Sequence, residues 1–227
     1  SDVSFDVFRN QVTVILGSSG SGKTTILKHL IGLIPVQDGQ VTVLGKDLEI
    51  LEEKQQENLY HRIGVFFQNG ALLNSLTVAE NVALPIEQHT NLKGPLLDKL
   101  VQLKLKLVNL SDAFHLYPSQ LSGGMLKRAA LARAIALDPP LLFCDEPGAG
   151  LDPISLAQLD RLILDLKEQL GISVVLVTHE VSSIMRLADR IVFLDKGKVL
   201  FEGSLQEALS SEHDLINRFF HKGKLEK

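Results

Sequence analysis

The stretch VTVILGSSGSGKTTILKHL, residues 12–30, decides the fold of this chain. It opens with an apolar run rich in β-branched residues, which is typical of a buried parallel strand. It closes with apolar residues at helical spacing. Between them, three glycines allow backbone angles that other residues avoid, so that successive N–H groups can converge on one anion. The stretch therefore predicts a strand, a glycine-rich loop and a helix arranged around a phosphate.

The loop matches the phosphate-binding pattern G-x-x-x-x-G-K-[ST] at every position. Lys23 would bring a positive charge to the terminal phosphates and Thr24 a hydroxyl to Mg²⁺, while the helix directs the positive end of its dipole to the same place. A flexible Gly/Ser linker is the alternative, but linkers do not lie between a buried strand and an apolar helix. We expect ATP and Mg²⁺ to bind here, with these nucleotide-binding residues: Gly17, Ser18, Ser19, Gly20, Ser21, Gly22, Lys23, Thr24 and Thr25.

Composition limits the classes of protein to consider. The 227 residues suffice for one large α/β domain. Hydrophobic residues make up 45% of the chain, yet no apolar run approaches the roughly 18 residues that span a bilayer. A net charge of −4 gives no overall basic excess, which argues against a dedicated nucleic-acid binder and leaves local basic patches open. With Cys144 as the only cysteine and no signal-peptide pattern, we expect a reducing, cytosolic setting.

The apolar patterns along the chain predict an α/β fold. The run from Thr77 to Asp138 lacks a strand pattern and predicts a helical insertion, divided at Pro85, Gly94-Pro95 and Pro118. Residues 46–62 and Leu126 to Leu137 are expected to be helical, the latter capped by Ser122, and a further helix should follow Ser204. Residues 221–227 are expected to form a frayed tail. The predicted strands are Ser1–Phe8, Val41–Leu44, Ile63–Phe67, Leu141–Phe143, Ser173–Val177 and a hairpin of Ile191–Leu194 with Val199–Phe201.

Polar residues follow three of the predicted strands, where parallel sheets present their ligand groups. Asp145 is placed to hold Mg²⁺, and Glu146 could deprotonate the water that attacks the γ-phosphate. His179 could bind that phosphate or that water, and Gln68 ends a neighbouring strand. Each also has an ordinary interpretation: a helix N-cap for Asp145, a surface glutamate for Glu146 and a structural histidine for His179. Their combination with Lys23 favours a catalytic site.

The order of GSSGSGKT, Gln68, LSGGM, LLFCDE, Gly150-Leu151-Asp152 and His179 closely resembles the nucleotide-binding subunits of ABC transporters, over nearly the whole chain. The LSGGM signature at 121–125 is the most specific part, because GTPases, kinases and RecA-like ATPases lack it. The resemblance implies a P-loop NTPase ABC ATPase fold with a small β-subdomain and an inserted α-helical subdomain. The single domain 1–227 would comprise a RecA-like core (1–76 and 139–203), a helical subdomain (77–138) and a C-terminal helical tail (204–227).

The same resemblance implies roles for the candidate residues. Two chains would pack head to tail as a homodimer in the ATP-bound state, so that the signature of one completes the site of the other. Glu146, His179 and Gln68 would be catalytic, and Mg²⁺ would be held by Thr24, Gln68 and Asp145. The residues that act across the dimer would be Leu121, Ser122, Gly123, Gly124, Met125 and Asp152.

A narrower resemblance concerns residues 67–78, 121–139 and 150–154, which look like the ATPases of bacterial MCE-associated lipid transporters, the Mla and toluene-tolerance group. It implies a motor subunit on the cytoplasmic face of the bacterial inner membrane that moves phospholipid. Its partners would be multi-pass permease subunits, together with MCE-domain and STAS-domain accessory proteins. No nucleic acid would take part. A permease helix would lie against Ala71, Leu72, Leu73, Val78 and Val82. Three alternatives stay open: an importer ATPase for another small substrate, a soluble ABC protein of translation or DNA repair, and a nucleotide-binding regulator without turnover.

Overall fold

The computed structural model describes residues 3–18 and 20–222. The strands are β1 Val12–Gly17, β2 Thr42–Val43, β3 Lys46–Asp47, β4 Ile63–Phe66, β5 Leu141–Asp145, β6 Ser173–Val177, β7 Arg190–Asp195 and β8 Lys198–Ser204. Six of them form one sheet in the order β4-β5-β6-β1-β7-β8, and β2 and β3 form a small antiparallel pair. Every pairing in the large sheet is parallel except that of β7 with β8, so the predicted terminal hairpin is confirmed.

The helices are α1 Lys23–Leu30, α2 Glu53–Tyr60, α3 Val78–His89, α4 Pro95–Leu107, α5 Gly123–Ala134, α6 Pro153–Leu170, α7 Val181–Leu187, α8 Leu205–Leu209 and α9 Asp214–Lys222. Short 3₁₀ turns occupy Ser111–Ala113 and Pro118–Gln120. Local signals place several helix ends. Gly171 closes α6 with a φ of 65°, and Ser204 with Glu207 forms the capping box that starts α8. The helix predicted after Ser204 is therefore confirmed.

The central strands are buried on both faces. Every residue of β1 and of β6 is buried, as expected of parallel strands covered by helices on both sides. One layer of core packs α3, α5 and α6 against the sheet, and the other packs α1 and the β2-β3 hairpin against its opposite face. Because β4, β5, β6 and β1 run in the same direction, their carboxyl ends share one edge of the sheet.

The strand predicted at residues 1–8 is wrong for the part of it that the structure describes. Val3, Phe5 and Val7 are half-buried against the sheet while the residues between them are exposed, so the alternation is real. No strand is assigned over residues 3–8, because alternation sets which side chains are buried and a strand also needs a hydrogen-bonded neighbour. Ser1 and Asp2 lie outside the described residues.

Several element boundaries also differ from the predictions. Residues 46 and 47 form β3 before α2 begins at Glu53. Pro85 lies inside α3 and does not separate two helices. The alanine-rich helix starts at Gly123, directly after its cap, and ends at Ala134. Helix α9 continues to Lys222, into the residues expected to fray, and 223–227 lie outside the described part of the chain.

Residues 77–138 contain only helices and turns, as predicted. The exact division into core, helical subdomain and tail stays a prediction. In the parts of the chain that the structure describes, every helix is too short or too polar to span a bilayer.

Candidate nucleotide-binding and hydrolysis site

Four strands deliver the candidate residues to one edge of the sheet. Strand β1 lies between β6 and β7, and β5 and β4 follow outward from β6. The glycine loop follows β1, and β5 ends at Asp145 with Glu146 directly after it. His179 follows β6, and Gln68 follows β4. Residues that lie far apart in the sequence therefore face the same edge, where open α/β sheets bind ligands.

The glycine loop depends on its glycines. A Cβ atom on Gly17 would lie 2.0 Å from the Leu194 carbonyl oxygen, so no larger residue fits between β1 and β7. Gly22 precedes α1 with a φ of 101°, which other residues rarely adopt. Ser18 Oγ donates to Asp195 Oδ1 at 3.1 Å, which fixes the start of the loop to the end of β7. Ser19 lies outside the described residues.

Lys23 lies folded against its own loop. Its Nζ donates to the carbonyl oxygens of Gly17 at 3.0 Å and Ser18 at 2.9 Å. These neutral acceptors hold the ammonium group beside the loop, where it could move to a phosphate. Thr24 and Thr25 are exposed in the first turn of α1, so their hydroxyls are free to meet a ligand. The loop and helix can therefore hold an anion together with a cation bound to it.

The Asp145-Glu146 pair leaves two buried oxygens unsatisfied. Asp145 Oδ1 and Glu146 Oε2 have no hydrogen-bond partner among the described residues. Burial, and secondly the charge of Glu146, raise the pKa of Asp145, while Lys28 opposes the shift. A divalent cation or an ordered water would satisfy such oxygens, so these residues fit a Mg²⁺ site. Glu146 also has a φ of 44°, a strained value for a non-glycine residue that often marks a functional site.

His179 contacts Glu146 directly. Its Nδ1 lies 2.8 Å from Glu146 Oε1, and the histidine side chain is 64% exposed while that of the glutamate is 13% exposed. The sequence predicted that both residues would lie at the site, and the structure brings them into contact. The imidazole can fix the orientation of the carboxylate while the opposite ring edge faces solvent.

Gln68 is exposed, but its loop is held by α5. Lys127 donates to the Gln68 carbonyl oxygen, and the guanidinium of Arg133 donates to Gly70 O at 2.8 Å and Ala71 O at 2.6 Å. Burial lowers the pKa values of both basic groups. Sequence reasoning did not identify Lys127 or Arg133. The available signal was two basic residues in an alanine-rich helix, and only the fold shows which carbonyls they reach.

The LSGGM segment forms the exposed start of α5. Ser122 Oγ accepts from the Met125 N–H at 3.3 Å, so the predicted cap is confirmed. Ser122 and Gly123 are exposed, while Leu121, Gly124 and Met125 are half-buried. A Cβ atom on Gly124 would lie 3.6 Å from Ser155 Oγ, so the signature packs against the start of α6. The N-terminus of α5 is therefore open to an incoming anion.

Asp152 caps α6. Its Oδ1 accepts from the N–H groups of Ile154 and Ser155, both at 3.0 Å, and hydrogen bonds from Ser155 lower its pKa. This N-capping is a structural role within one chain. The predicted task of Asp152 across a dimer stays a prediction.

The interpretation of Val78 and Val82 as part of a permease groove is wrong. Both are 0% exposed and pack inside the helical layer. Their positions in α3 place them on its apolar face, which the core covers. Leu72 is half-buried, whereas Ala71 and Leu73 are exposed. Ala71 and Leu73, and the exposed part of Leu72, remain available to a partner.

Comparison with known proteins identifies the family. The family model described as ABC transporter matches residues 1–149. This chain belongs to the ABC transporter family. The ATP-binding protein MlaF of the intermembrane phospholipid transport system of Escherichia coli K12 is 39% identical over 218 residues, which is 96% of this chain and 81% of that protein. MlaF of Haemophilus influenzae is 40% identical over 98% of this chain and 84% of its own length.

A third relative and a solved structure support the same family. The probable ribonucleotide transport ATP-binding protein mkl of Mycobacterium leprae is 36% identical over 97% of this chain and 63% of its own length. The ATP-binding cassette MJ0796, solved as a dimer in a post-hydrolysis state bound to ADP and Pi, superposes with a TM-score of 0.81 at 31% identity, covering 90% of this chain and 89% of that one. The ABC transporter ATPase fold is therefore confirmed. The chain binds nucleotide and is an ATP-hydrolysing motor subunit.

The hydrogen bonds from Arg133 in α5 to the Gln68 loop lead to a prediction. Arg133→Met keeps an unbranched side chain of similar bulk near the backbone but removes both donors to the carbonyls of Gly70 and Ala71, at a cost of about 1.5–3 kcal/mol for each lost charge-assisted bond. We expect faster amide hydrogen exchange across residues 67–72. Arg128→Met is the matched control, because its guanidinium reaches Asn109 O at 3.0 Å. Unchanged exchange in Arg133→Met would show that the loop does not depend on Arg133.

Proposed function

We propose that this ATPase drives phospholipid transport across the bacterial envelope, from the cytoplasmic face of the inner membrane. The catalytic part of the proposal is carried by one observation: the glycine loop lies on the same sheet edge as the contacting pair Glu146 and His179. Lys23 would move from its loop carbonyls to the terminal phosphates. Glu146 would accept a proton from the attacking water, with its carboxylate oriented by His179.

The chain provides groups suited to Mg²⁺. Asp145 Oδ1 is buried without a partner, and the Thr24 hydroxyl is exposed at the start of α1. With the Gln68 side chain they make an all-oxygen ligand set, as Mg²⁺ prefers. When bound, Mg²⁺ would neutralise charge on the phosphates. Burial raises the pKa of Asp145, so a nearby cation would stabilise its charged form.

We further propose that the active form is a homodimer. Ser122 and Gly123 are exposed at the N-terminus of α5, where the helix has N–H groups to offer an anion. The dimeric state of MJ0796 supports the same arrangement here. The signature, Leu121 to Met125, and Asp152 of one chain would then meet the phosphates bound by the other. Two ATP molecules would lie in the interface.

An apolar groove beside β4 suits a short helix from a permease. Its cavity of about 240 Å³ is lined by Ile31, Gly32, Leu33, Tyr60, Ile63, Val65 and Phe67. Leu33 is 60% and Phe67 39% exposed, and Phe67 directly precedes Gln68. An amphipathic helix bound there would contact Phe67, the residue next to Gln68. Movement of the Gln68 loop could therefore pass to the membrane subunit.

The cargo is proposed from the relatives. Two of them are named for intermembrane phospholipid transport and align over nearly the whole chain. Permease subunits, with MCE-domain and STAS-domain proteins, would complete the system. The relative named for ribonucleotide transport provides a second candidate cargo, at slightly lower identity.

Leu33→Asp tests both the groove and the cargo. A carboxylate in an apolar contact is poorly solvated, so we expect the isolated chain to keep its basal ATPase rate and to lose its stimulation by the permease. In a deletion strain, this variant should fail to restore outer-membrane lipid asymmetry and detergent resistance. Leu96→Asp is the matched control, since Leu96 is also 60% exposed but lies in α4, and it should restore both.

Other outcomes would separate the parts of this proposal. If Leu33→Asp behaves like Leu96→Asp, the groove does not receive the permease. If deletion of the gene leaves lipid asymmetry normal and abolishes ribonucleotide uptake, the phospholipid assignment is wrong and the second candidate is favoured.

A further inference from the structure

Two histidines meet where α2 and α3 end. His61 caps the C-terminus of α2, and His89 is the last residue of α3. Their ring centroids are 3.8 Å apart, with an angle of 44° between the rings. The contact joins residues 28 positions apart and lies outside the nucleotide site described above.

A carboxylate completes the cluster. Glu57 precedes His61 by one helical turn, a spacing that places two side chains on the same face. Glu57 Oε1 lies 4.0 Å from His61 Nε2. One ligand atom from each of the three side chains lies within 4.8 Å of the others.

The ring nitrogen of His61 indicates that the cluster is incomplete. Its Nε2 is shielded from solvent and has no hydrogen-bond partner among the described residues. The distance to Glu57 exceeds that of a hydrogen bond, and a shielded polar atom without a partner is unfavourable. A simple histidine-carboxylate ion pair would shorten this distance. Two imidazolium rings at this separation of 3.8 Å would also repel each other.

We propose that Glu57, His61 and His89 bind one divalent transition-metal ion, best matched by Zn²⁺. Two imidazole nitrogens and one carboxylate oxygen form a ligand set that Zn²⁺ commonly takes, with an open fourth position for water. Mg²⁺ and Ca²⁺ favour oxygen ligands alone. Zn–N bonds of about 2.0–2.1 Å in a tetrahedron place ligand atoms about 3.4 Å apart. The exposed Glu57 and His89 side chains can close the remaining gap by rotation.

The site would link two parts of the molecule. His61 lies two residues before β4, which leads to Gln68, and His89 ends the first helix of the helical segment. A bound ion would hold these parts together and stabilise the folded chain. This inference is independent of the proposed function, so either can fail alone.

Calorimetric titration with ZnCl₂ tests the site, using the full chain without a tag and without nucleotide. We expect one tight site per chain and a higher melting temperature with zinc. Glu57→Gln and His89→Ala change exposed side chains, and each should weaken zinc binding by more than the 10–100-fold typical of losing an outer-shell partner. The melting shift should disappear in the same variants. His115→Ala, which removes an exposed histidine elsewhere, should retain both.

A second variant distinguishes this site from the Glu146-His179 pair. His179→Ala should retain the tight zinc site, because its imidazole is not among the three ligands. The proposal is overturned if the wild-type chain binds no zinc, if His89→Ala binds it as tightly as His115→Ala, or if His179→Ala removes the tight site.

Discussion

Lys23→Ala should remove most ATP binding. The ammonium group, held by two carbonyls of the glycine loop at 3.0 and 2.9 Å, lies beside the loop predicted to bind the phosphates. Alanine has nothing to replace it. Losing two charge-assisted hydrogen bonds, at about 1.5–3 kcal/mol each, predicts a loss of affinity of more than about a hundredfold. Calorimetric titration with ATP and Mg²⁺ measures the effect directly.

The fold should survive this change, because the loop stays fixed to β7 through Ser18 and Asp195. An unchanged melting temperature without nucleotide checks that point. Lys93→Ala removes an exposed lysine between α3 and α4 and serves as the charge control. Wild-type affinity in Lys23→Ala would contradict the assignment of this loop as the phosphate site.

Glu146→Gln should separate binding from hydrolysis. Glutamine keeps the shape of the side chain and can still pair with His179, but it cannot accept a proton from water. Loss of a general base typically lowers the rate by about 10²–10⁴-fold. ATP should therefore bind as before and remain intact, so that the dimer accumulates. Phosphate release measures the rate, and gel filtration with ATP and Mg²⁺ measures the dimer.

Glu180→Gln is a suitable control for this experiment. Its carboxylate also lies beside His179, with Oε1 3.9 Å from Nε2, but it is 43% exposed. An exposed pair at that distance contributes little, so turnover should stay near wild type. Unchanged turnover in Glu146→Gln, measured with the permease present, would remove Glu146 from the role of base.

Sequence patterns predicted most of the candidate site because its residues belong to short, local signals. The glycine loop is continuous, and each further candidate follows a strand that its apolar composition identifies. The contact of Glu146 with His179 could not be predicted from local patterns, because only the order of strands in the sheet makes β5 and β6 neighbours. The same holds for Lys127 and Arg133, whose acceptors lie about 60 residues away and are backbone carbonyls, which carry no side-chain signal.

The wrong predictions share a physical cause: each depended on packing against distant segments, which a local pattern does not show. The alternation at residues 3–8 describes burial correctly, yet no strand forms there because the backbone lacks a paired neighbour. Val78 and Val82 are apolar residues near the Gln68 loop, and an apolar residue can equally serve a core or a partner surface. Their complete burial decides for the core. Pro85 was expected to end a helix, but α3 continues past it, because packing of its apolar face holds the helix on both sides of the proline.

By itself, the sequence determined the phosphate-binding loop, the buried strands, and the helix caps at Ser122 and Ser204, because each depends on neighbours within a few positions. Motif order alone was also enough to suggest the ABC transporter family. Only the tertiary structure decided the order of the strands, the hold of α5 on the Gln68 loop, and the meeting of His61 with His89. These depend on which distant segments pack together, and that choice is made by burial of the whole apolar surface at once.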